Sequence, residues 1–339
     1  MGLRRWLTGL ALLVAGCGAV QPQAQESPTP PADAPQVVAT SSVICDLTRQ
    51  IAETRVRLTC LVPPGVDAHT YQPTPADRQA LETAQVVLYN GYNLEPALER
   101  LIAALPASVT RVPVGELAVP QPLLGSHDHH HHGHDHHHHH HGEKEQKVPD
   151  PHVFQTGENV ARMAKVIGEK LAQIYPAQTE TFQTHTRNLV NEFQELDRWI
   201  RQQVQTIPPR QRKLVTTHEA LAYFAQSYGL ELLGALQGIS TQEQPSPARL
   251  AQLTREIKQA QVPTIFAEVS LNPKLINTVA QEAGVKIAPT PLYTDGLGPP
   301  DSPAATVQGM LISNTCTIVQ GLGGSCTPFS GRQTRSGPS

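Results

Sequence analysis

The sequence predicts an α/β protein of two lobes, each a parallel sheet flanked by helices, with helix crossing between them and a ligand cleft where they face. Three observations carry this. Short β-branched runs alternate with helical stretches in both halves of the chain, a pattern that implies parallel strands covered by helices. Two long periodic stretches, 158–174 and 179–204, separate those halves. Several histidines sit where a strand or loop hands over to a helix, and ligands of open α/β sheets bind there, beyond the carboxyl ends of the strands.

The elements follow in order. A β-branched run at 37–40 leads into helical spacing over 45–51, and 55–61 alternates as a strand. Residues 75–84 read as a helix with Pro75 in its first turn and Asp77 facing outward. A strand at 86–89, a helix at 94–105 and a strand at 110–114 complete the first lobe, 37–156. The segment 157–206 holds the long helices, and 179–204 places Phe182, Leu189, Phe193, Leu196 and Ile200 on one face. Alternation resumes in the second lobe, 207–323. Strands are expected at 213–216, 231–235, 264–267 and 286–288, and helices at 221–228, 248–259, 273–283 and 306–320. The Gly/Ser/Pro-rich end, 324–339, reads as a flexible tail.

The N-terminus reads as a targeting segment. Arg4 and Arg5 precede an apolar run at 7–16, which is too short to span a bilayer. The run ends Val14-Ala15-Gly16-Cys17, which resembles the bacterial lipobox, so 1–16 is expected to be removed and Cys17 lipidated. Lipid on Cys17 would anchor an otherwise soluble, exported chain to the membrane. Residues 17–36, rich in Gln, Pro, Ala and Ser, read as a disordered tether. The formal charge is −3, and without the two arginines of 1–16 it becomes −5. This acidic balance argues against nucleic acid as a partner. Four cysteines remain, an even number that fits an oxidising location. Pairing Cys45 with Cys60 and Cys316 with Cys326 closes the shortest loops, although spacing alone does not fix connectivity.

Twelve histidines crowd the fifteen residues 127–141: His127, His129, His130, His131, His132, His134, His136, His137, His138, His139, His140 and His141. Such a run cannot build a core, and imidazole binds Zn²⁺, Ni²⁺ and Cu²⁺ near neutral pH. The run is internal and broken by Asp128, Gly133 and Asp135, which sets it apart from an expression tag. It forms part of a His-rich flexible loop, 125–147.

The tract leaves four other histidines. His69 lies in a loop after a strand, His152 just before a helix, and His218 follows a strand and opens a helix. His185 falls in mid-helix and reads as a solvated or satisfied surface residue. Asp295 follows the last strand of the second lobe and completes the set. Three imidazoles and one carboxylate suit tetrahedral Zn²⁺, whereas Mn²⁺ prefers more oxygen.

These residues sit in longer motifs: GVDAHTYQPTPAD at 65–77, YNGYNLEP at 89–96, DPHVF at 150–154, VTTHEALAYFAQSYGL at 215–230, GISTQEQPSP at 238–247 and LYTDGLG at 292–298. On them the chain resembles the metal-specific solute-binding proteins of bacterial ABC importers, the cluster of zinc- and manganese-binding lipoproteins, from about residue 37 to 322. The resemblance implies a long rigid helix between the lobes and a metal held between them. It also implies His69, His152, His218 and Asp295 as ligands, and a permease and its ATPase as partners. His218 stands where manganese members often carry Glu, and the His-rich tract lies between the first and second ligands, as in zinc members; both lean toward Zn²⁺ as cargo, with Mn²⁺ or nickel as alternatives. Ala68, Gln72 and Phe154-Gln155-Thr156-Gly157 depart from the usual pattern. A monomer is expected, and no enzymatic activity. Two rival readings are a zinc hydrolase, with Glu219 beside His218 as base, and a surface metal store without a transporter. The first lacks an HExxH motif, and a fourth protein ligand would close its open position.

Overall fold

The computed structural model describes residues 30–126, 147–242 and 244–331. The leader 1–16, Cys17 and all twelve tract histidines fall outside the described residues.

The first lobe is a four-stranded sheet made of β1 (Gln36–Ala39), β2 (Arg57–Cys60), β3 (Val86–Tyr89) and β4 (Thr110–Pro113). The strands run parallel in the order β2-β1-β3-β4. Three helices connect them: α1 (Ser42–Ala52), α2 (Pro75–Thr83) and α3 (Pro96–Ala103). Alternation along a strand sends neighbours to opposite faces. Thus Val37 and Ala39 enter the central core while Val38 joins an outer cluster with Val87, Leu81 and Leu98. Asp77, expected on the outer face of α2, closes a capping box instead: its carboxylate accepts the Thr74 N–H at 2.7 Å, and Thr74 Oγ1 accepts the Asp77 N–H at 3.2 Å.

A short helix α4 (Val114–Ala118) and two strands, β5 (Leu124–Ser126) and β6 (Lys147–Pro149), were not legible in the sequence. The strands pair as an antiparallel ribbon with Ser126 opposite Lys147. Residues 125, 126 and 147, expected at the ends of a flexible loop, belong to this stem.

The long helices are α5 (Gly157–Ile174) and α6 (Thr179–Gln205). At 27 residues α6 extends roughly 40 Å. Near its start His185 Nδ1 meets the Ile51 carbonyl of α1 at 2.9 Å, so His185 is a partnered residue away from the cleft. Near its end Asp197 accepts the Tyr228 hydroxyl of the second lobe at 2.7 Å. The apolar face of α6, Phe182, Leu189, Phe193, Leu196 and Ile200, is buried as the spacing predicts. It packs in one core with α1, α5 and residues of both lobes.

The second lobe repeats the first. Its strands are β7 (Lys213–His218), β8 (Glu231–Gln237), β9 (Thr264–Ile265) and β10 (Lys286–Ile287), with helices α7 (Ala222–Tyr228), α8 (Pro247–Ala260), α9 (Lys274–Ala283) and α10 (Val307–Gly321). β7 pairs with β8 and β9 with β10, both parallel, and the Phe266 N–H donates to the Val215 carbonyl at 3.0 Å to join the pairs. The resulting order, β8-β7-β9-β10, has the same connection pattern as the first sheet. In both, the switch point falls between the first and third strands of the lobe.

Two boundaries need correction. The ordered body begins ahead of residue 37, because Arg57 Nε donates to the Ala34 carbonyl at 3.0 Å and Ala34 is buried. The expected flexible tail does not start at Gly324. The Cys316–Cys326 disulfide clips it to α10, Thr327 donates to Gln203 Oε1 at 2.9 Å, and Phe329 stacks edge-on against Trp199. Small polar residues there suggested fraying, but the covalent tie and one aromatic anchor outweigh composition. The other disulfide joins Cys45 and Cys60, as loop length favoured.

Candidate metal centre

Each candidate donor is delivered by a strand end or the loop beyond it. His218 is the last residue of β7, one strand beside the switch point of the second sheet; the helix it was expected to open starts later, at Ala222. Asp295 lies in the loop after Leu292, which bridges in parallel to Glu268 beyond β9. His152 follows β6 through Asp150-Pro151. Asn90, at the end of β3, donates to the Pro151 carbonyl at 2.9 Å and so fixes that turn. His69 lies in the loop after β2, held by Asp67, whose Oδ1 accepts the His69 N–H at 2.9 Å.

These four side chains converge, all of them buried, with their donor atoms within 4.8 Å of one another. His152 Nε2 stands 3.1 Å from His69 Nε2 and 3.3 Å from His218 Nε2. Asp295 Oδ1 lies 3.6 Å from His69 Nε2, 3.5 Å from His152 Nε2 and 3.1 Å from His218 Nε2. That oxygen has no hydrogen-bond partner among the described residues. A buried acceptor left unsatisfied is costly, and a cation at the centre of the cluster would satisfy it. The second oxygen of Asp295 is occupied by Ser270 Oγ, which donates at 2.5 Å.

Carboxylates behind the donors set their protonation. His152 Nδ1 donates to Asp150 Oδ1 at 2.8 Å, and His218 Nδ1 donates to Glu268 Oε2. Each bond keeps the proton on Nδ1 and leaves the Nε2 lone pair facing the cluster. Glu268 is itself fully engaged. Its Oε1 accepts the N–H groups of Thr217 at 2.8 Å and His218 at 2.9 Å, and its Oε2 accepts the Thr294 hydroxyl at 2.9 Å. Gln155, one of the departures from the family pattern, donates to the Thr294 carbonyl at 2.7 Å and steadies the Asp295 loop.

Burial works against a charge on both histidines, but the adjoining carboxylates outweigh it. His152 is raised by its hydrogen bond to Asp150 and by the nearby Asp295 carboxylate, and His218 is raised well above the usual imidazole range by the charges of Glu268 and Asp295. Asp295 is pushed up by burial, yet the His218 charge and its histidine contacts hold it well below the usual carboxylate range. Without a cation the site therefore gathers protons on imidazole and keeps Asp295 ionised.

Glu268 was missed in the sequence. Its signal was present, since it lies just beyond β9 as His218 lies at the end of β7, at the same switch point. Replacing it tests its role. In Glu268→Gln the amide would donate toward Nδ1 and drive the proton to Nε2. We expect metal affinity to drop about 10- to 100-fold in competitive titration, with the fold retained by circular dichroism. Unchanged affinity would remove Glu268 from the site.

Glu219 is not part of the cluster. Its carboxylate instead approaches the ribbon, 3.5 Å from where a Cβ on Gly125 would stand.

Residues 37–321 match the family described as zinc-uptake complex component A, periplasmic. The chain belongs to this family. Component A proteins are solute-binding proteins for metal transport, not enzymes, so the hydrolase reading falls. The chain is 30% identical to the manganese-binding lipoprotein MntA of Halalkalibacterium halodurans, over 92% of this chain and 95% of that protein. It is 32% identical to the zinc-binding protein TroA of Treponema pallidum, over 85% and 89%. The solved structure of the periplasmic zinc binding protein TroA from Treponema pallidum superposes with a TM-score of 0.75 at 31% identity, covering 85% of this chain and 99% of that one. This component A chain is thus the metal-binding, substrate-binding part of an ABC importer, which implies a permease and an ATPase as partners. Among its described residues no helix is long and apolar enough to cross a membrane.

Proposed function

We propose that this chain captures Zn²⁺ outside the cytoplasm and hands it to the permease of its importer. The ion is held by His69 and His152 from the first lobe and His218 and Asp295 from the second. One observation carries the choice of metal. Zinc bonds of about 2.0–2.1 Å arranged as a tetrahedron set donors roughly 3.3–3.4 Å apart; five of the six donor separations in the cluster run from 3.1 to 3.6 Å, and all six lie within 4.8 Å. Asp295 offers a single free oxygen, because Ser270 occupies the other. Three nitrogens and one oxygen form a poor set for Mn²⁺, which favours more oxygen ligands and higher coordination. Resemblance does not decide the matter, since relatives named for manganese and for zinc are about equally similar.

The chain is tethered by lipid on Cys17, and the histidine tract serves as an accessory. It binds further ions weakly at high local concentration and passes them to the tight site. The β5–β6 ribbon supports this: it pairs Ser126 with Lys147, which flank the segment containing the tract, and its second strand ends just ahead of His152. Deleting 127–141 is expected to leave one tight site that prefers Zn²⁺ over Mn²⁺ in competitive titration, while slowing uptake when zinc is scarce. A deleted protein that preferred Mn²⁺ would overturn the metal assignment. Unchanged uptake would remove the feeding role.

A further inference from the structure

Three donors are steadied from their own side of the cleft: Asp150 holds His152, Glu268 holds His218 and Ser270 holds Asp295. The His69 segment is gripped across it. Asp67 uses one oxygen to hold the His69 N–H and the other to accept Thr241 Oγ1 from the opposite lobe at 2.6 Å. Gln242 Nε2 donates to the His69 carbonyl at 2.8 Å. Thr241 and Gln242 belong to the loop between β8 and α8, and the two bonds brace the backbone of His69 at both its N–H and its carbonyl. A third tie lies nearby, where the Gly65 N–H donates to the Leu297 carbonyl at 2.8 Å.

We infer that Thr241 and Gln242 are positioning residues of the metal centre, a latch that keeps His69 on the ion and sets how fast bound metal leaves. This rests on the reading of the four donors as ligands. Thr241 is buried whereas Gln242 is exposed. Water competes for the Gln242 bond, so the latch can open without unfolding either lobe. When it opens, the segment carrying His69 keeps only the Gly65 tie to the second lobe, and His69 can leave the ion with three donors. Capture is less sensitive, because His152, His218 and Asp295 keep their supports whether or not the latch is closed. The signature is thus a change in release rate with little change in capture rate.

The test uses the full chain loaded with one equivalent of Zn²⁺ and mixed rapidly with excess chelator. Thr241→Val keeps the shape and removes the hydroxyl. It is expected to speed release about tenfold, with a further increase in the double variant Thr241→Val/Gln242→Ala. Thr241→Ser, which restores the hydroxyl, is expected to release metal at the wild-type rate. The capture rate and the Tm of the metal-free protein should stay unchanged. Wild-type release rates in both Thr241→Val and the double variant would overturn the proposal. So would Thr241→Ser releasing as fast as Thr241→Val, since packing and not the hydroxyl would then matter. A wild-type chain whose zinc binding does not depend on the four donors would overturn the ligand reading, and the latch with it.

Discussion

Replacing His218 with alanine is expected to weaken zinc binding by about a hundredfold to a thousandfold. Four-ligand zinc sites bind with about 10–16 kcal/mol, so one ligand contributes about 2.5–4 kcal/mol. The loss should lie at the strong end for His218. Its removal also strands Glu268, a buried carboxylate that now accepts four hydrogen bonds, one of them from the lost imidazole. His185→Ala, which changes a partnered histidine away from the cleft, is the control and should bind zinc as the wild type does. Competitive titration of both variants decides the matter. Equal affinity in the two would mean that the cluster is not the zinc site.

Acid is expected to empty the site. A histidine must be neutral to ligate, so each proton held by the metal-free site competes with the ion. The metal-free pKa of His218 lies well above 6.5 and that of His152 is also raised. Both imidazoles are then protonated below their raised values, and both protons must leave when metal binds. Affinity therefore rises with pH until the His218 value is passed, and falls below it by up to about tenfold per pH unit for each histidine. Asp295 adds nothing to this slope, because its pKa lies well below 3.8 and it stays ionised throughout. Lowering the pH from about 7.5 to about 5.5 should cost on the order of a hundredfold in affinity or more. Calorimetry in buffers of different ionisation enthalpy should detect proton release at neutral pH. A flat affinity across this range would contradict the protonated empty site.

The lobes were legible because both sheets are parallel and covered on two faces. Buried β-branched runs such as 86–89 and 213–216 then read clearly against amphipathic helices. The short elements were not. α4 has five residues and β5 and β6 three each, too few to show a period, and pairing rather than local pattern stabilises the ribbon. Residues 324–331 were misread for a related reason: composition describes what a segment is made of, not that Cys326 and Phe329 tie it down.

For the candidate site, sequence by itself nominated the four side chains that the fold brings together. Twelve of sixteen histidines fall in the tract, and three of the remaining four stand at strand or loop ends, so the chemistry was confined to a short list. The tertiary structure decided what surrounds them. Glu268 is 50 residues from His218, and Thr241 and Gln242 are more than 170 from the loop they grip. No spacing rule reaches that far. Such partners meet because two sheets with the same connection pattern place their strand ends face to face across α6. A ligand can be recognised by its own chemistry, whereas a supporting residue is defined by what it touches, and only the folded chain fixes that.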